Sequence, residues 1–118
     1  MSDLTVLHNP KCSTSRSALE TLDAAGKQAQ VVQYLKEPLD EAALRELIAK
    51  LEDEPTDLVR RDSFFKDQGL SDDDVATTDQ VVAVLVEHPR LMQRPVIVKG
   101  ERAIIGRPKD RVAPFVED

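Results

Sequence analysis

A strand, a helix and a second strand follow one another at the start of this chain, and this order constrains the fold more than any other feature. The apolar run Leu4–Leu7 predicts a buried strand. Asn9-Pro10 ends it, because the residue before a proline is kept out of helical geometry. Apolar residues at helical spacing then predict a helix that stops at Gly26, and residues 30–35 predict a second strand. Strands joined through a helix in this way lie parallel, with a right-handed crossover.

The middle of the chain predicts helices. Asp40 can cap one of them, residues 56–61 predict a short helical turn, and residues 63–76 fit no single pattern. Thr78 begins another helix, which Pro89 ends. The apolar residues expected to face inward on the two longer helices are Leu44, Leu47, Ile48, Leu51, Val81, Val82, Leu85 and Val86.

The end of the chain predicts a hairpin and a last helix. Residues 96–98 and 102–105 are short apolar runs around a tight turn, so they should pair antiparallel. Pro108 suits the first turn of a helix that ends near Val116. The complete order of elements predicts an α/β thioredoxin-like fold. We expect residues 1–118 to form a single domain, with a helical insertion at about residues 40–90.

Cys12, the only cysteine, lies in the turn between the first strand and the first helix. A lone cysteine is often a small buried apolar residue. Here, however, Lys11, Arg16 and three hydroxyl residues surround it. Positive charge and a helix N-terminus lower the pKa of a thiol from about 8.5 to about 3.5–7.5. The position therefore favours a reactive thiolate.

Composition excludes several classes of function. The net charge of −6 disfavours a nucleic-acid partner, because phosphate backbones are bound by clustered Lys and Arg. No apolar run is long enough to cross a membrane, and the N-terminus lacks the pattern of a signal peptide, so we expect a cytoplasmic protein. The acidic run at residues 70–74 lacks the glycine of a calcium loop. It predicts a helix start, and we expect no metal site.

Three arginines stand beside turns in the second half of the chain: Arg60, Arg94 and Arg107. The planar guanidinium group donates two parallel hydrogen bonds to a tetrahedral oxyanion and keeps its charge at any ordinary pH. Their spacing along the chain does not show whether they meet, and each of them could equally be a surface arginine.

Several short motifs, in this order along the chain, resemble the glutaredoxin-coupled arsenate reductase (ArsC) family. The resemblance runs from Thr5 to about Val116. Within the family it is closer to the chromosomal relatives in which serine follows the cysteine. The motifs are His8-Asn9-Pro10, Cys12, Ser15-Arg16, Leu58-Val59-Arg60, His88-Pro89, Arg94-Pro95-Val96-Ile97-Val98 and Gly106-Arg107-Pro108.

The resemblance implies roles for particular residues. Cys12 matches the family's nucleophile, and Arg60, Arg94 and Arg107 match the arginines that hold the oxyanion. The peptide bond between Arg94 and Pro95 matches one that is cis in the family, which is plausible because proline follows.

The resemblance also implies that His8 and Ser15 support the thiolate, whereas His88 is expected to be structural. One position departs from the family's resistance enzymes, which commonly have glycine where this chain has Ser13. Because serine restricts the positive φ angles that glycine allows, the oxyanion loop could differ in tightness.

The reaction implied by the resemblance reduces arsenate to arsenite. Glutathione or another small thiol is the implied cosubstrate, a glutaredoxin-type protein is the implied partner, and no bound cofactor is expected. The small thiol is needed because the chain has no second cysteine.

Two other functions are compatible with the sequence. Cys12 could serve a thiol-transfer protein with another substrate. The chain could also be a regulator resembling the Spx family, which binds RNA polymerase. Many Spx proteins have a Cys-x-x-Cys switch, which is absent here because position 15 is serine.

Overall fold

A four-stranded mixed sheet forms the centre of the protein. The computed structural model describes residues 4–107 and 109–117. The strands are β1 (Leu4–Leu7), β2 (Gln30–Val32), β3 (Val96–Lys99) and β4 (Arg102–Ile105). Their order in the sheet is β2-β1-β3-β4, in which β1 pairs parallel with β2 and antiparallel with β3, and β3 pairs antiparallel with β4. This confirms the predicted parallel unit and the predicted hairpin.

Helices cover both faces of the sheet. None of the helices in the described ranges is long and apolar enough to cross a membrane. The described α-helices are α1 (Ser13–Ala24), α2 (Glu41–Lys50), α3 (Ser63–Asp67), α4 (Thr78–Glu87) and α5 (Val112–Glu117). Short 3₁₀ turns lie at Pro55–Leu58, Asp72–Val75, Pro89–Leu91 and Lys109–Arg111.

Alternation along β1 divides the core into two layers. Leu4 and Val6 pack in one cluster with residues of α1 and α5. Leu7 points the other way and packs in a second cluster with residues of α2 and α4. Successive side chains of a strand point to opposite faces, so a strand covered on both sides is apolar throughout. The core therefore fixes the ends of β1 and β3, from which the loops at the candidate site emerge.

Side-chain caps start the helices of the insertion. Asp40 accepts a hydrogen bond of 2.8 Å from the backbone N–H of Ala43, as its position predicts. Ser71 and Asp74 form a reciprocal capping box at the acidic run, which confirms the predicted helix start.

Two strand and turn boundaries differ from the sequence prediction. The second strand ends at Val32 and not at residue 35, because Gln33 begins a turn in which its carbonyl accepts from the N–H groups of Lys36 and Glu37. The helical turn predicted over residues 56–61 covers only Pro55–Leu58, because Val59 forms an isolated bridge instead.

One inward-facing prediction on the helices is wrong. Val86 is 47 % exposed, because on α4 it lies beyond Val82 at the outer edge of the buried stripe. Leu51 is partly buried and packs against the core as predicted, but α2 ends at Lys50 and Leu51 adopts an extended conformation bridged to Ala103. The predicted role of Pro108 concerns a residue outside the described ranges. The last helix begins at Val112 after a 3₁₀ turn.

Candidate active site

The loop between β1 and α1 places Cys12 at the N-terminus of a helix. Cys12 is the N-cap residue of α1, and its side chain is 9 % exposed. Its backbone N–H donates to the carbonyl of Asn9 at 3.0 Å, and the Asn9 side chain accepts from the N–H of Lys11 at 2.9 Å. Because of the short turn that follows β1, the Cys12 sulfur lies at the positive end of the dipole of α1, where an anion is stabilised.

A buried polar cluster holds the other side of this loop. Ser15 is completely buried, and its hydroxyl oxygen accepts from the backbone N–H of Asn9 at 3.1 Å. The same hydroxyl is 2.7 Å from Nδ1 of His8, which is also buried. Burial, followed by the charge of Arg16, lowers the pKa of His8, so the ring is mostly neutral at neutral pH. The side chain of His8 therefore contacts Ser15 and not Cys12. Through its hydroxyl, Ser15 connects the loop residues His8 and Asn9 to helix α1.

Arg107 reaches the sulfur from the opposite edge of the site. Its Nη2 donates to Sγ of Cys12 at 3.2 Å, and its Nε donates to the carbonyl of Arg94 at 2.7 Å. The peptide bond between Arg94 and Pro95 is cis, as the resemblance implied. A Cβ on Gly106 would lie 2.9 Å from Cγ of Pro95, so a glycine is needed to let these two loops approach.

Arg60 and Arg94 complete the cationic group. Arg60 follows the bridge residue Val59 and lies 3.3 Å from the carboxylate of Asp62. Burial lowers the pKa of Arg60, and the charge of Arg94 lowers it further. Arg107 and Cys12 also act electrostatically on Arg60. The structure thus brings the three predicted arginines together beside Cys12.

The surroundings stabilise a Cys12 thiolate. Burial of the sulfur raises the pKa of Cys12, but the backbone N–H of Ser15 and then the side chain of Arg94 lower it. The backbone N–H of Thr14 and the charge of Arg107 lower it further. The net pKa lies below that of an ordinary thiol, because the helix N-terminus and the guanidinium groups outweigh desolvation.

Sequence reasoning missed Tyr34 as a wall of this site. Its side chain is 1 % exposed, and burial raises the pKa of Tyr34 while the nearby guanidinium of Arg94 opposes that rise. Within the described residues the Tyr34 hydroxyl and Arg94 Nε are buried without a hydrogen-bond partner. Tyr34 is the only tyrosine of the chain, but its position at the end of a predicted strand gave no functional signal. His88 lies elsewhere, edge-on to Phe64 with ring centroids 5.5 Å apart.

Alkylation of Cys12 by iodoacetamide should follow an apparent pKa below the value of about 8.5 of a free thiol. Because the folded site favours the thiolate, the rate should stay high as pH falls below 8.5 and drop only near the depressed pKa. Inorganic sulfate or arsenate should slow the labelling, since the arginines would hold either anion over the sulfur. A profile equal to that of free cysteine, without protection by either anion, would show that Cys12 is an ordinary buried residue.

Comparison with known proteins places these features in a family. The family model described as the ArsC family matches residues 7–115. The chain is 35 % identical over 113 residues to the uncharacterized protein YfgD of Escherichia coli (strain K12), covering 94 % of each sequence. It is 32 % identical over 114 residues to an arsenate reductase of Neisseria meningitidis serogroup A, covering 95 % of this chain and 97 % of the relative.

A solved structure agrees with the fold. The arsenate reductase from Vibrio cholerae superposes with a TM-score of 0.84 at 33 % identity, covering 94 % of this chain and 95 % of that one. The strand order, the helices on both faces and this similarity confirm the predicted α/β thioredoxin-like fold.

Proposed function

Because this chain belongs to the ArsC family, we propose that it is an arsenate reductase that works through a Cys12 thiolate, an external small thiol and a glutaredoxin-type donor. The observation that carries the proposal is the contact of 3.2 Å between Arg107 and the Cys12 sulfur, beside two further arginines. A nucleophile and a set of oxyanion donors within one site are what attack on a tetrahedral oxyanion requires.

The first step is attack of the Cys12 thiolate on arsenic(V). Arg60, Arg94 and Arg107 hold the arsenate oxygens and offset the negative charge that repels the incoming thiolate. A bond forms between sulfur and arsenic, and one arsenate oxygen leaves as water after it is protonated. His8 and Ser15 support this step indirectly, by holding the loop that carries the nucleophile.

The electron count requires a thiol from outside the chain. Reduction of arsenic(V) to arsenic(III) takes two electrons, which two thiols supply when they end as one disulfide. Cys12 is the only cysteine, so it can supply at most one of the two thiols. The second comes from glutathione or a similar small thiol, and a redoxin then reduces the disulfide.

The arginine cluster favours this function over the two alternatives. A thiol-transfer protein needs a low thiol pKa but has no need for three guanidinium groups around the sulfur. An Spx-like switch needs a second cysteine, and Ser15 is instead a buried hydrogen-bonding residue. We also propose that the protein acts in the cytoplasm, where small thiols are kept reduced.

Arsenite production should depend on added thiol. With arsenate and glutathione but no redoxin, we expect an adduct of arsenic or glutathione on Cys12, because nothing within the chain can clear it. Multiple turnovers should begin only when a glutaredoxin-type protein is supplied. Mass spectrometry of the intact protein and a coupled assay for arsenite measure these two outcomes.

The assay should be repeated with other small thiols and redoxins, since the donor differs between hosts. Sustained turnover without any thiol donor would contradict the mechanism. If no donor supported arsenite production while Cys12 still reacted with disulfides, the thiol-transfer function would replace the proposal.

A further inference from the structure

A partly buried ion pair between Asp53 and Arg111 packs against the loop that carries Arg107. Asp53 follows α2 and is only 17 % exposed at its side chain. One of its carboxylate oxygens accepts from the backbone N–H of Ile105 at 2.9 Å, and the other accepts from Nη1 of Arg111 at 2.9 Å. Both carboxylate oxygens thus accept hydrogen bonds. They connect the end of α2 to Ile105 and Arg111, which lie more than 50 positions further along the chain. Neither Asp53 nor Arg111 belongs to the motifs that suggested the function.

The Arg111 guanidinium spans the loop that carries Arg107. Its Nη1 donates to the carbonyl of Ile105 at 2.9 Å and approaches the carbonyl of Arg107 at 3.3 Å. These two carbonyls lie on either side of Gly106, whose own N–H donates to the carbonyl of Pro95 at 2.8 Å. The backbone around Arg107 is therefore fixed by hydrogen bonds from Arg111, which Asp53 holds in place, and by the hydrogen bond between Gly106 and Pro95.

The same loop determines where the Arg107 side chain points. Arg107 touches both the Cys12 sulfur and the carbonyl of Arg94, so a small shift of its backbone would break both contacts. A misplacement of about 1 Å at a reacting centre can cost as much as about 10²-fold in rate. Removing either member of this pair would also leave a partly buried polar group without its partner.

We propose that Asp53 and Arg111 are positioning residues that hold Arg107 against Cys12 and the bound oxyanion. The inference rests on the proposed function only in taking Arg107 as an oxyanion donor. Its main effects, on the reactivity of Cys12 and on binding of an inert anion, need no arsenate reduction.

The decisive variant is Asp53→Asn, because position and charge act on Cys12 in opposite directions. Loss of a negative charge alone would make the site more positive and would lower the pKa of Cys12. Loss of positioning would move Arg107 away from the sulfur and would raise it. We expect a rise of about half a unit or more in the alkylation pKa of Cys12. We also expect about tenfold weaker protection by inorganic sulfate, which serves as the anion probe.

Glu52→Gln is the matched control. Glu52 precedes Asp53 and pairs with Arg102 on an exposed surface, so this variant also breaks an ion pair between the end of α2 and β4. It leaves the contacts of Asp53 with Ile105 and Arg111 in place. We expect it to leave the pKa of Cys12 and the sulfate protection unchanged. Thermal unfolding of both variants, followed by circular dichroism, separates loss of stability from loss of positioning.

A second variant covers the case in which Asp53→Asn does not fold. Arg111→Gln should weaken sulfate protection to the same extent, and the double variant should be no worse than either single one, because the two residues act as one unit. The inference is overturned if the folded variants keep the wild-type pKa of Cys12 and sulfate protection, if the pKa falls in Asp53→Asn, or if the single effects add. If sulfate protects Cys12 from alkylation in the wild-type protein but the protein reduces no arsenate, the proposed function is refuted. The test of Asp53 and Arg111 is then unaffected, because it depends only on alkylation and sulfate binding.

Discussion

Replacement of Cys12 by Ser is expected to abolish arsenate reduction, with a loss of at least about 10³-fold in kcat. A serine hydroxyl is almost fully protonated at neutral pH, and no described residue is placed to act as its base. The nearest histidine, His8, contacts Ser15 and not Cys12. Moreover, a serine oxygen cannot form a disulfide with the incoming thiol. It therefore cannot supply electrons to arsenic, and the reduction cannot proceed even if the bond between oxygen and arsenic forms. Initial rates of arsenite release at saturating thiol and redoxin measure the loss.

The fold should survive this replacement, because sulfur and oxygen differ little in size and Cys12 lies at the rim of the core. Thermal unfolding should therefore show a change of less than about 1 kcal/mol. Glu20→Gln serves as the control, since Glu20 is exposed and lies about two turns further along α1 than Cys12. Arsenite release by Cys12→Ser above the background without enzyme would remove Cys12 as the nucleophile.

Replacement of Arg107 by Ala should have the next largest effect, lowering kcat/KM for arsenate by about 10²–10³-fold. This side chain is expected to serve both the thiolate and the oxyanion, and its loss should also raise the pKa of Cys12. Arg60→Ala and Arg94→Ala should weaken arsenate use as well. Lysine at any of the three positions should rescue only part of the activity, because it lacks the planar fork of donors.

Arg45→Ala is the matched control for the arginine series. Arg45 is an exposed arginine of α2 that pairs with Glu41 and Asp79, so its loss removes the same charge away from the site. We expect wild-type kinetics from it. Wild-type kinetics in all three site variants would mean that the oxyanion binds elsewhere. An equal loss in Arg45→Ala would mean that net charge, and not the site, controls arsenate use.

Local patterns in the sequence were sufficient for most of the secondary structure. The spacing of apolar residues and the capping residues identified β1, α1, α2, α4 and the terminal hairpin. Each of these elements is specified by residues within a few positions of one another. The same reasoning failed at the limits of elements. Leu51 and Val59 leave the helical pattern to form bridges with Ala103 and Met92, and partners that far along the chain leave no local signal.

The sequence by itself identified the candidate nucleophile and the kind of environment around it. Cys12 is the only cysteine, and an apolar strand, a proline break and a helix start surround it within a few residues. These local features are enough to place a thiol at a helix N-terminus, and the structure places it there. The family resemblance pointed to the three arginines, although nothing in their own spacing could show that they meet.

Only the tertiary structure decided how these residues come together. Arg107 is 95 positions from Cys12, and Asp53 is 58 positions from Arg111. Their contacts depend on the register of β1 with β3 and of β3 with β4, which sets where each loop leaves the sheet. Such contacts follow from the packing of the whole core, and the pattern of neighbouring residues does not encode them. For this reason the Asp53–Arg111 pair and the buried Tyr34 hydroxyl became visible only in the folded protein.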